Sequence, residues 1–409
     1  MGRFIVNGGN TLCGAVRVSG SKNAALPIIF ASLVTRGISR FYNLPDIGDV
    51  RDAIGIIKEF GAIVRREGGI TYIDTRTLSY TRPSEDKVSR IRASTYLIGS
   101  CLSRFGRAEL MPFGGCSFSH RPIDMHIDAA VSFGAELNEG KLRASSLSSS
   151  DIVFRQKSVG ATVNSLILAA SIYGESRLYG TAKEPHITAL IAYLVSAGAQ
   201  ITVKGDVITV IGAELHGGTA VIPGDMIEAG TYLAASLITA GRVRVSGFDP
   251  KELHSFTSLL LASGSIEDVS GGSVMLVGRP KREITVRTGA YPAFPTDLQP
   301  IFSTVLAVSR GGIIEENVWR SRFGYLDELS RMGLSFARDG NVARIFPSDI
   351  ISGNVTARDL RGGAAAVLLA LGAEGESRIE CAETVLRGYE SFAEKLRDIG
   401  ADIIYEESY

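Results

Sequence analysis

The chain has 409 residues, 45% of them hydrophobic and 21% charged, which is too long for one ordinary core and predicts two domains of roughly 200 residues. Its 43 basic residues balance 43 acidic ones, so no global field draws nucleic acid or an anionic membrane, and any anion site has to come from a local cluster of arginines. Four scattered cysteines, Cys13, Cys101, Cys116 and Cys381, argue against a disulfide framework and for reduced thiols in the cytoplasm; no Cys-x-x-Cys or His-x-x-x-His pairing offers a zinc site.

The opening MGRFIVNGGNTLCG lacks the apolar core of a signal peptide. The apolar run 24–34 contains Pro27 and falls far short of the ~20 residues of a membrane span. In VSGSKNAALP, Ser21, Lys22 and Asn23 sit where a strand gives way to an apolar helix. Lys22 suits an anion site at that helix start or a solvated cap, and the residues leave both readings open.

One pattern then recurs six times: an apolar helix ends at glycine, a strand follows, then a polar turn and a second strand. The copies begin EFGAIVRREGGITYI, SFGAELNEGKLRAS, SAGAQITVKGDVITV, ASGSIEDVSGGSVMLV, RMGLSFARDGNVARIF and DIGADIIYEES, punctuated by Gly61, Gly134, Gly198, Gly264, Gly333 and Gly400. Glycine suits the left-handed position past a helix end, and the Gly-Gly and Asp-Gly turns suit hairpins. A spacing of about 67 residues exceeds the 20–50 of solenoids and predicts a compact α/β unit used six times, three per domain. The helices preceding these glycines read as unusually apolar, which predicts burial on all sides. Strands such as ITVKGDVITVIG alternate, with one wet and one dry face. Helices inside and sheets facing solvent are the reverse of a doubly wound fold. No Gly-x-Gly-x-x-Gly follows a first strand, so a dinucleotide-binding fold is excluded.

Further along, MPFGGCSFSHRPIDMH sets Cys116 behind two glycines and ahead of Arg121. The glycines suit a lid loop, and Arg121 suits phosphate or a lowered thiol pKa; the residues alone leave Cys116 either reactive or inert. His120 and His126 suit solvation or packing better than metal. In RTGAYPAFPTDLQ, Asp297 is either a rigidly held base or part of a helix cap. Arg322, Arg361 and Arg387 each stand just before a helix, at equivalent places in successive units, with Asp359 two residues before Arg361. Gathered at one end of a domain, they form an anion pocket; scattered in solvent, they form none.

The ordered set SGSKNAALP, GGCSFSHRPIDMHI, KSVGAT, GDMIEAGTYL, YPAFPTDLQ, SRF, ELSRMG, DLRGGAA and RGYE closely resembles the UDP-N-acetylglucosamine 1-carboxyvinyltransferase family, within the enolpyruvyl transferase superfamily. The match runs from Val6 to Ala401. The resemblance implies an α/β fold, a two-domain inside-out α/β barrel of six βαβαββ repeats, with buried helices and solvent-facing sheets. It divides the chain into a domain of residues 22–222, which carries the Cys116 loop, and a domain of residues 1–21 plus 223–409. The chain crosses near Ser21 and near residues 222–225.

The implied chemistry is addition–elimination between phosphoenolpyruvate and a uridine nucleotide sugar. No metal or organic cofactor, nucleic acid, membrane or obligate protein partner is implied. By resemblance Cys116 is the acid and Asp297 the base, while Lys22, Arg121 and Arg387 meet phosphate. Arg322 and Arg361, with Asp359 nearby, surround the carboxylate of phosphoenolpyruvate. Asn23, Arg92 and Val318 match acceptor contacts. Arg121, Pro122, Ile123, Asp124 and Met125 match a uridine-binding run, and Ser158, Val159 and Gly160 a loop at the nucleotide's phosphates.

Departures from the family pattern cluster on the acceptor side. Gln156 stands where the family has lysine, with Lys157 one place later. His186 replaces a glutamate, Arg320 and Ser321 replace Glu-Asn, and Thr384-Val385-Leu386 replaces His-Ile-Asp. The main reading is therefore transfer to UDP-N-acetylglucosamine; the alternative is a diverged paralogue acting on another uridine nucleotide such as UMP, as in nucleoside-antibiotic biosynthesis.

Overall fold

The structure, a computed structural model, describes residues 2–114 and 121–407. Gly61, Gly134, Gly198, Gly264, Gly333 and Gly400 all take a positive φ, between 90° and 124°, a region that L side chains enter only with strain. Each closes a helical segment and passes the chain into a strand. The six-fold punctuation read from the sequence is therefore a backbone requirement.

Two compact units result, one of residues 20–114 with 121–223, the other of residues 2–19 with 224–407. They are termed the N-terminal and C-terminal units below. In the N-terminal unit, helices Lys22–Ala31, Leu97–Phe105 and Val159–Ser171 carry the core; every residue from Ala24 to Ala31 and from Ala161 to Ala170 is buried. In the C-terminal unit, Met226–Ile238, Gln299–Ala307 and Leu360–Gly372 pack against one another and are buried along nearly their whole length. Sequestering each Leu or Phe on these helices contributes ~1.5–3 kcal/mol, which explains why their sequences carry so few charges.

One expectation is corrected. The fully buried helices are not those that end at the six glycines. Pro185–Ser196 and His254–Ala262, which do, keep one face in solvent, with Val195 45% and Leu261 37% exposed. The helices that end at these glycines pack on the buried ones, as Pro185–Ser196 does on Lys22–Ala31, through one apolar face and leave the other in solvent.

The strands form six sheets among the described residues, five of four strands and one of three. In a complete sheet a parallel edge strand precedes an antiparallel hairpin, as in the order Thr219–Val221, Ile38–Tyr42, Ile70–Asp74, Ile63–Glu67. Alternation holds within strands: Ile208 and Val210 point to the core while Ile211 is 42% exposed. The sixth hairpin is completed from the far end of the chain, because Asp402–Glu407 pairs antiparallel with Gly2–Gly8. Each unit also recruits a leading strand remote in sequence. Thr219–Val221 lies parallel to Ile38–Tyr42, and Cys13–Arg17 lies parallel to Arg242–Ser246.

Candidate active site

In the C-terminal unit, YPAFPTD delivers Asp297 in a 3-10 turn, Thr296–Leu298, just ahead of helix Gln299–Ala307. Among the described residues no side chain caps either start. The Asp297 carboxylate instead accepts from Arg322 Nη1 at 2.8 Å and from Arg361 Nη2 at 3.3 Å. Arg322 and Arg361 are only 4% and 2% exposed. Guanidinium groups so deeply placed require an acidic partner, so Asp297 is a structural necessity as well as a candidate base. Arg361 lies 5.2 Å from the centre of the Tyr389 ring, whose hydroxyl meets Thr231 Oγ1 at 2.8 Å. Arg361 Nη1 is buried with no hydrogen-bond partner among the described residues. Such a donor costs roughly 1–3 kcal/mol, and the oxygen of an anion would relieve it.

The expectation that all three arginines precede helices is corrected at Arg361 alone. Arg322 does precede one, Tyr325–Leu329. Arg387 stands between the short helix Glu383–Leu386 and helix Phe392–Asp398, which it precedes, whereas Arg361 lies inside the first turn of Leu360–Gly372. Asp359 caps the Leu360–Gly372 helix: its Oδ1 accepts from Arg361 N at 3.1 Å and Gly362 N at 2.9 Å. That cap sets the backbone from which Arg361 reaches Asp297.

Glu316 was not singled out from the sequence. It is fully buried, and its carboxylate accepts from Thr288 and Thr296 hydroxyls at 2.9 Å and from Val318 N and Trp319 N at 2.9 and 2.8 Å. It thus fixes Thr296 beside Asp297 and the backbone of Val318, whose side chain is 36% exposed. Alternation along Gly312–Glu315 carries the next residue inward, which was the available signal.

In the N-terminal unit Lys22 opens helix Lys22–Ala31, with Asn23 next to it. Lys22 Nζ lies 3.1 Å from Asp49 Oδ2, and the side chains are 15% and 5% exposed. The solvated-cap reading of Lys22 therefore fails. Asp49 comes from the first turn of Gly48–Glu59 and was not visible as its partner.

Arg92 begins the 3-10 turn Arg92–Tyr96 and donates to Arg121 O at 2.5 Å. Burial, together with the Arg121 charge, pulls its pKa down to about 10. Pro122 and Ile123 lead into helix Asp124–Ser132, which Asp124 and the buried Met125 begin. Ser158 caps helix Val159–Ser171, accepting from Ala161 N at 3.3 Å, and Val159 and Gly160 form its first turn. The two runs assigned to the nucleotide are thus both helix starts, where free N–H groups favour anions.

Between these starts stands a buried polar node. His126 is 5% exposed, and Asn164 Nδ2 lies 2.7 Å from its Nδ1. Asn164 also donates to Thr95 O at 3.1 Å and accepts from Gly99 N at 2.7 Å. Burial first, and Arg92 second, hold the His126 pKa down at about 4. The ring is therefore neutral, Nδ1 accepts, and the proton sits on Nε2. A Cβ on Gly160 would come within 2.6 Å of this ring, so glycine is needed there for close packing. His126 packs, as expected from the sequence. Cys116 and His120 lie outside the described residues. Cys101 is buried, which pushes its thiol pKa up and makes it inert.

Buried arginines around one carboxylate in the C-terminal unit and anion-ready helix starts in the N-terminal unit, each on an inside-out repeat fold, suit a protein that binds small anionic groups. Residues 6–396 match the EPSP synthase (3-phosphoshikimate 1-carboxyvinyltransferase) family, and the chain belongs to that family. UDP-N-acetylglucosamine 1-carboxyvinyltransferase 2 of Clostridium acetobutylicum is 39% identical, over 98% of this chain and 99% of its own. UDP-N-acetylglucosamine 1-carboxyvinyltransferase of Halothermothrix orenii is 39% identical over the same shares. Among solved structures, the enolpyruvyl transferase NikO from Streptomyces tendae superposes with a TM-score of 0.88 at 26% identity, covering 100% of this chain and 99% of that one. EPSP synthase from Acinetobacter baumannii gives 0.72 at 16% identity over 100% of both chains, a likeness of fold. The chain is a carboxyvinyl, or enolpyruvyl, transferase.

Proposed function

We propose that the chain transfers the enolpyruvyl group of phosphoenolpyruvate to the 3-hydroxyl of UDP-N-acetylglucosamine, releasing phosphate, in the cytoplasmic synthesis of peptidoglycan precursors. The observation that carries this reading is 39% identity, end to end, with relatives whose names state that acceptor. No helix among the described residues is long and apolar enough to cross a membrane.

In this reading Cys116 protonates the methylene carbon of phosphoenolpyruvate. The cationic carbon is attacked by the sugar oxygen, and Asp297 takes the hydroxyl proton. Loss of a methyl proton and of phosphate from the tetrahedral ketal leaves the enolpyruvyl ether. Lys22, Arg121 and Arg387 hold the phosphate as charge moves onto it, and Arg322 and Arg361 meet the carboxylate. Arg361 Nη1, buried and without a hydrogen-bond partner among the described residues, supports a role for that arginine toward an anion. Asn23, Arg92, Val318 and the runs 121–125 and 158–160 take the acceptor.

A second reading keeps phosphoenolpyruvate and changes the acceptor to another uridine nucleotide such as UMP; the substitutions at Gln156, His186 and Leu386 favour it. Isolating the product made from phosphoenolpyruvate and UDP-N-acetylglucosamine tests the main reading. An enolpyruvyl ether on the sugar 3-oxygen by NMR is expected, and unchanged sugar nucleotide overturns it. The acid role of Cys116 has its own test. Cys116→Asp is expected to keep turnover and to resist thiol alkylation; a variant that alkylation still silences removes Cys116 from that role.

A further inference from the structure

Arg155 lies between the two runs assigned to the nucleotide. It follows strand Asp151–Val153 and precedes Ser158, the cap of helix Val159–Ser171. Its guanidinium does not point along its own loop. Nη2 is paired with Asp124 Oδ2, and Nη1 reaches Asp128 Oδ2 at 3.3 Å. Asp124 and Asp128 are one turn apart on helix Asp124–Ser132, where two like charges repel. Arg155 offsets that repulsion and joins the two helix starts on their solvent side. The His126–Asn164 node joins the same two helices on their buried side.

The Asp124 carboxylate keeps a second oxygen in reserve. Oδ1 is shielded from solvent and has no hydrogen-bond partner among the described residues. With Oδ1 out of water's reach, the orientation of this carboxylate is left to the Arg155 grip on Oδ2.

We propose that Arg155 is a positioning residue for the nucleotide end of the acceptor. By gripping Oδ2 of Asp124 it sets the orientation of that carboxylate and fixes the run 121–125 against the run 158–160. This rests on the function proposed above only in taking those runs as nucleotide contacts. Arg155 itself touches no substrate. Its side chain is 57% exposed, so it adds little to stability.

The test is titration calorimetry with UDP as the probe, on the full chain, alongside steady-state kinetics. Arg155→Gln is expected to weaken UDP binding about tenfold. It should raise KM for the nucleotide substrate similarly, leave kcat and the phosphoenolpyruvate KM within about twofold, and leave Tm within about 2 °C. Arg155→Lys should recover most of the affinity, because a single charge still spans the pair. In an Asp124→Asn background, Arg155→Gln should add little, as residues acting through one contact are not additive. UDP affinity unchanged in Arg155→Gln overturns the inference. So does a fall in Tm with all kinetic constants shifted together, which marks a structural role, and so does a parent protein that binds no UDP. A parent that binds UDP but makes no enolpyruvyl product from UDP-N-acetylglucosamine overturns the proposed acceptor alone, and the UDP titrations still decide Arg155.

Discussion

Arg322 and Arg361 in the C-terminal unit are almost sealed from water and share the Asp297 carboxylate, whereas Arg155 in the N-terminal unit is 57% exposed and holds Asp124 and Asp128 at the surface. The buried polar residues differ in the same sense. The N-terminal unit buries a neutral histidine on an asparagine. The C-terminal unit buries Glu228 with Lys395 at 2.6 Å, and Ser19 N donates to the same carboxylate at 2.9 Å. A buried charge fixes its partner, because either one left alone is strongly destabilising; an exposed pair exerts little such pressure. Some of the positions that depart from the family pattern follow this division, although Val385 departs while fully buried and His186, Thr384 and Leu386 are half-buried. Gln156, Lys157, Arg320 and Ser321 are all exposed, while Arg322, next to the last two, is buried and kept.

Three experiments bear on this contrast, and the largest effect is expected at Arg361. Arg361→Ala removes a charge buried on Asp297 and Tyr389 and should lower stability by about 3 kcal/mol, with a severe loss of phosphoenolpyruvate capture. Arg361→Lys should restore little, since an ammonium cannot reproduce the fork. Urea midpoints and the phosphoenolpyruvate KM check both. An Arg361→Ala protein as stable as its parent would break the contrast.

The pH dependence of stability comes next. Burial pushes Glu228 up to about 7 against the opposing pull of Lys395. Its contribution is complete below the unfolded value of about 4.5 and is lost as pH rises to 7. His126, held down at about 4, contributes fully above about 6.5 and loses that contribution as pH falls to 4. Each spans on the order of 3 kcal/mol, with opposite signs in the two units. Between pH 4.5 and 6.5, Glu228→Gln should therefore make stability rise more steeply with pH than in the parent, and His126→Gln less steeply. Denaturant unfolding at several pH values reads both slopes, and identical slopes would contradict the assignment.

The smallest effect is expected at Gln156. Restoring the family lysine with Gln156→Lys should change the acceptor KM by less than about fivefold, the scale of an exposed charge. A larger gain would make this surface a determinant of specificity.

Much of the fold was legible because it rests on local rules. Glycine at six helix ends is a backbone requirement that any sequence must display, and alternation in strands shows which face is wet. What stayed hidden depended on residues distant in the chain. Nothing in DIGADIIYEES announces that residues 2–8 complete its sheet, or that residues 13–17 lie beside 242–246. The buried helices and those that end at the six glycines were merged into one apolar signal, so burial was assigned to the wrong ones. At the candidate site the chemical residue types were visible, but the partners that orient them were not. Asp49 for Lys22 is set by packing between helices, and Asp124 for Arg155 by a loop folded against a helix. Glu316 could have been found by continuing the strand alternation past Glu315.

The most direct test of the account is phosphate release from phosphoenolpyruvate by the purified protein, with UDP-N-acetylglucosamine and UMP offered separately. Release with the sugar nucleotide is expected, which makes the substitutions at Gln156, His186 and Leu386 tolerated changes. Release with UMP alone would contradict it and make those same residues the determinants of a different acceptor.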